Sequence, residues 1–123
     1  MDDLTAANDR GTATIERDPT MANFVLLYHG GSMPETPEEG HKIMQAWTDW
    51  FGTLGAAVID GGNPASRTKT IAADGSVSDD PSGPSGYSVI SADSIDAAVE
   101  LAKGCPVRQG GASIQVVETF NAM

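Results

Sequence analysis

The stretch GYSVISADSIDAAVELAKGCP, residues 86–106, carries a complete strand–cap–helix–stop unit. Tyr87–Ala92 is apolar and β-prone and follows the loop-forming DDPSGPSG of residues 79–86, so it reads as a strand. Asp93 or Ser94 caps a helix whose buried face is Ile95, Ala98, Val99 and Ala102. Gly104 closes that helix and Pro106 prevents its continuation.

The same order of signals occurs upstream. FVLLYH, residues 24–29, is a short apolar run ended by Gly30-Gly31, which predicts a buried strand. Thr36 or Pro37 opens a helix with Glu38 and Glu39 in its first turn, where the helix dipole favours acids. Ile43, Met44, Trp47, Trp50, Phe51 and Leu54 follow at helical spacing, and Gly55 stops the helix. Ala56–Gly61 predicts a second strand. Arg67–Ala72 and Ser76–Ser78 flank Asp74-Gly75, a hairpin turn signal. Ser113–Phe120 alternates and predicts the last strand.

Strand, helix, strand, hairpin, strand, helix, strand predicts an α+β class. With right-handed crossovers it is a ferredoxin-like βαββαβ plan with an inserted hairpin and an antiparallel sheet in the order fourth, first, third, second. Helices cover one sheet face. The other face also carries apolar residues, and a second copy is the simplest cover, so a homodimer joined sheet to sheet is expected. Residues 1–20 are polar and aperiodic and read as a disordered or partner-docked tail, leaving 21–123 as the folded domain.

Composition excludes several partners. Seventeen acids against seven bases give a formal net charge of -10. Such a chain repels nucleic acid and anionic membranes and lacks the basic patch that nucleic-acid binding needs. No apolar run reaches the ~20 residues of a membrane span, and the N-terminus has no signal-peptide pattern. One cysteine, Cys105, rules out an intrachain disulfide and suits a reducing, cytoplasmic setting. At a helix C-terminus its thiol is not activated, and it reads as structural.

The predicted topology brings His29, Asp60 and Tyr87 to one end of the sheet, with His29 and Asp60 roughly 10 Å apart across the third strand. His29 is the best general base on offer, because imidazole titrates near neutrality. Asp60 is either a turn former before Gly61-Gly62 or one wall of a cleft. His41, on the first helix, reads as structural or exposed, with a catalytic role as its alternative. Ser32, Tyr87, Asn63, Gly61 and Gly62 are candidate substrate contacts. No spacing suits a metal or an organic cofactor, so none is expected. Two functions follow: a cofactor-independent acid/base enzyme performing isomerisation, elimination or lactone-type hydrolysis on a small polar or aromatic substrate, or a non-catalytic ligand-binding or accessory homodimer.

FVLLYHG, W-x-x-W-F-x-x-L-G, DGGNP, GYSVISADSIDAAVELAKGCP and GGASIQVVE, taken in order over residues 23–120, resemble the YCII-related or DGPF-domain family. The resemblance implies a ferredoxin-like fold assembled as a dimeric α/β barrel. It also implies a His/Asp pair at the site, with Asp60 matching the acid after the second strand and His41 the only helix histidine. The DGPF tetrapeptide itself is absent, since the matching loop reads SDDPSGPSG. The dimeric-barrel fold also hosts monooxygenases, a third reading that rests on analogy.

Overall fold

The computed structural model describes residues 21–121; the expected tail over residues 1–20 lies outside them. Strands β1 (Ala22–His29), β2 (Val58–Asp60), β5 (Gly86–Ala92) and β6 (Ser113–Glu118) form a sheet in the order β2-β5-β1-β6, each pair antiparallel. Helices α1 (Pro37–Leu54) and α2 (Ile95–Ala102) accompany it, so the class is α+β. Strands β3 (Lys69–Ile71) and β4 (Val77–Asp79) pair with each other as a separate two-stranded ribbon. No described helix is long and apolar enough to cross a membrane.

Strand parity fixes the two faces. Phe24, Leu26 and Tyr28 are buried while Val25, Leu27 and His29 are half-buried, as a period of two requires. Ser88 and Ile90 on β5 and Ile114 and Val116 on β6 join the buried side, beneath the helices. Fully burying Phe24, Leu26 and Ile90 stabilises the fold by roughly 1.5–3 kcal/mol each.

Local chemistry sets the helix ends. Thr36 Oγ1 accepts from the Glu39 amide at 3.1 Å, while Glu39 Oε1 accepts from the Glu35 amide at 2.9 Å, a reciprocal cap displaced by one residue. Ser94, the second of the two candidate caps, accepts from the Ala97 amide at 3.0 Å. Gly55 ends α1 at φ 56°. Trp47, Trp50 and Phe51 form a mutually packed aromatic cluster with Tyr28, and Trp50 Nε1 donates to the Leu101 carbonyl at 3.1 Å, tying α1 to α2.

Four expectations need correction. Ile95 does not join the buried face of α2, where Ala98 and Ala102 are buried; it stands at the first turn and is 41% exposed. Ile43 and Met44 do not join the buried stripe; they are 39% and 66% exposed, because only the C-terminal half of α1 packs into the core. The second strand is shorter than Ala56–Gly61, because Gly55–Ala57 adds a 3₁₀ turn after α1 and delays entry into the sheet. The last strand stops at Glu118, which leaves Phe120 86% exposed.

Candidate functional site

The sheet register separates the residues expected at one end. Asp60 pairs with Val89, and Val89 pairs with Val25, so Asp60 lies level with the middle of β1. His29 is four residues further along β1 and two strands across. At about 3.3 Å per residue and 4.8 Å per strand, their Cα atoms are roughly 16 Å apart. The expected gathering of His29 and Asp60 is therefore corrected. The main reason is where β2 meets β5: Val58 already pairs with Ile90, near the far end of β5, and residues 61–64 continue along its edge instead of leaving as a terminal loop; the register irregularity between Val58 and Asp60 adds one residue to the offset. The Asn63 carbonyl accepts from the Tyr87 amide at 3.3 Å, the Ala65 amide donates to Ser85 at 2.9 Å, and Pro64 bridges Gly86.

Within this edge segment Asp60 Oδ1 accepts from the Gly62 amide at 2.9 Å, a turn closed by its own side chain. Gly62 has φ 78°, and a Cβ there would collide with the Tyr87 carbonyl. Gly61 rests against the Phe51 ring, and its carbonyl accepts from Ser88 Oγ at 2.8 Å. Ser88, fully buried, in turn accepts from Tyr28 Oη at 2.7 Å. A buried chain Tyr28–Ser88–Gly61 thus anchors the Asp-Gly-Gly segment from beneath. Cys105, 2% exposed, is the other polar neighbour of Tyr28. Burial pushes the Tyr28 hydroxyl and the Cys105 thiol above their ordinary pKa values, so both are held neutral.

His29 belongs to a different group. It opposes Ser113, and its Nε2 lies 2.6 Å from Gln115 Oε1, the diagonal neighbour on the uncovered face. An amide oxygen accepts, so Nε2 is the donor in this contact. Tyr87 opposes Leu27 on the same face, one strand over and two residues along from His29. Sequence reading picked out His29 and Tyr87. It missed Gln115, whose position beside His29 follows only from the β1–β6 register.

The remaining candidates are dispersed. Ser32 is exposed and its Oγ lies 3.4 Å from the Gly110 carbonyl. Asn63 is exposed beside Tyr87. His41 is exposed on the early turns of α1, the half that does not pack into the core. Among the described residues no cluster of three or more His, Cys, Asp or Glu could hold a metal ion.

The concavity beside α2 lies elsewhere. A groove of about 390 Å³ runs between α2 and β6 on the helix side of the sheet, with Lys103 and Arg108 on its rim. Compared with protein-family models and with curated proteins, the chain matches none.

Proposed function

We propose that this chain is a ferredoxin-like, YCII-related domain that pairs sheet to sheet as a homodimer and binds a small polar or aromatic molecule over the uncovered face. One observation carries the reading. Val25, Leu27, Tyr87 and Val89 are half-buried and Val117 is 41% exposed on a face with no described element over it, and the polar His29–Gln115 pair lies among them. A face of this mixture suits an interface that closes around a polar ligand. The five sequence segments that resemble the YCII-related family support the same assembly.

Binding without catalysis is the better supported form. The Asp60 carboxylate serves its own turn and stands roughly 16 Å from His29, so the two form no acid–base pair within one chain. The acid/base reading retains one specific support: Gln115 Oε1 holds the His29 ring through Nε2 at 2.6 Å on the face that the ligand would occupy.

Sedimentation velocity at micromolar concentration tests the assembly; a monomer overturns it. A ¹H–¹⁵N NMR screen of small aromatic and polar compounds tests the ligand. Perturbations at His29, Tyr87 and Gln115 that disappear in His29→Ala support the site. Turnover of a screened compound that is lost in His29→Ala but kept in Asp60→Asn would replace the binding reading with the acid/base one.

A further inference from the structure

We infer that the groove between α2 and β6 is a second binding site, for a small carboxylate with an apolar tail. Its floor is Val99 and Ala102 from α2 and Ile114 and Val116 from β6. Ile114 and Val116 stand opposite Tyr28 and Leu26, so this groove is on the helix side, away from His29 and Tyr87. The inference is therefore independent of the proposed dimer face. A volume of about 390 Å³ falls within the roughly 300–1,000 Å³ of small-ligand sites.

Charge selects the ligand class. The chain carries net charge -10, and its described residues hold five lysines and arginines: Lys42, Arg67, Lys69, Lys103 and Arg108. Two of the five rim this one groove. Arg108 Nη1 donates to the Lys103 carbonyl at 2.7 Å, which fixes the guanidinium at the end of α2. That bond uses one of five N–H donors, leaving others for a carboxylate, whose planar geometry the guanidinium fork matches. Lys103 Nζ is 2.8 Å from Glu100 Oε2, an exposed pair that an incoming anion competes with at little cost. The apolar floor gives the remainder of the ligand a place out of water.

A ¹H–¹⁵N titration of the full chain with hexanoate, and separately with 1-hexanol, tests this site. Hexanoate is expected to shift the Val99, Lys103, Ala112 and Ile114 amides in a saturable way, with hexanol about tenfold weaker or worse. Arg108→Gln is expected to weaken hexanoate about tenfold. Should that variant fail to fold, Lys103→Gln on the exposed rim serves, with a smaller loss in the same direction. Equal shifts from hexanol, undiminished binding in the charge variants, or hexanoate shifts confined to His29 and Tyr87 would each overturn the proposal.

Discussion

A Cβ on Gly62 would fall on the carbonyl oxygen of Tyr87, and Gly62 already holds a positive φ of 78°. Gly61, its neighbour, meets only the Phe51 ring, at 3.5 Å from an added Cβ. The two glycines therefore differ in kind. Gly62→Ala is expected to destabilise by about 2–4 kcal/mol, combining left-handed strain with displacement of β5. Gly61→Ala is expected to cost under about 1 kcal/mol. Urea unfolding of both variants checks the difference.

The buried Tyr28–Ser88–Gly61 chain makes a second pair of variants informative. Tyr28→Phe removes one donor but leaves the Ser88–Gly61 bond in place, at a cost of about 1 kcal/mol. Ser88→Ala strips a partner from both the tyrosine hydroxyl and the Gly61 carbonyl, and about 2–3 kcal/mol is expected. Hydrogen exchange at the Gly61 and Gly62 amides should quicken more in Ser88→Ala than in Tyr28→Phe.

Alkaline pH acts on the same chain. Tyr28 and Cys105 are both raised from ordinary values of 10.0 and 9.0, chiefly by burial. The native state thus keeps two protons that the unfolded chain releases. Stability is complete below about pH 9 and falls as pH rises beyond it, with a limiting slope of about 1.4 kcal/mol per pH unit for each group. Denaturant midpoints between pH 8 and 11 should show that decline, and Tyr28→Phe should shallow it. An unchanged pH dependence in that variant would contradict the account.

On the uncovered face, Val117→Glu places a charge at a position 41% exposed in the single chain. In a monomer the change is nearly neutral. In the proposed sheet-to-sheet dimer it buries an unpaired carboxylate, so sedimentation should shift from dimer to monomer while far-UV circular dichroism is kept.

The β3–β4 ribbon pairs only with itself, and each of its strand residues is exposed, including Ile71 at 73% and Val77 at 59%. Replacing residues 69–79 with a short Gly-Ser linker is expected to leave the melting temperature within a few degrees of the parent. The exposed Lys69–Asp79 pair contributes at most about 1 kcal/mol.

Element types were legible because punctuation and period agreed. Thr36, Ser94 and Gly55 sit where capping chemistry places them, and the alternation in FVLLYH matches its burial; Gly104 follows α2 without the positive φ of a capping glycine and instead leaves room for the Trp50 ring. Ile43 and Met44 failed because helical spacing marks an apolar stripe without saying how far the sheet extends beneath it. Asp60 failed for a longer-range reason. The register of one strand against another leaves no local mark, and β2 pairs so far along β5 that the carboxylate sits well short of the end where His29 lies. The turn reading of Asp60 needed only the next two residues, which is why it was available in the sequence, whereas the His29–Gln115 contact joins residues 86 positions apart.

Cys105 gives the molecule a built-in clock. It is the chain's single thiol, 2% exposed, lying against Tyr28 just beyond the end of α2. A membrane-permeant or bulky alkylating reagent cannot reach it until that part of the core opens. The labelling rate of the unmodified protein therefore reports opening of the helix-covered layer around Tyr28, with no introduced probe, and is blind to fraying of the separate ribbon.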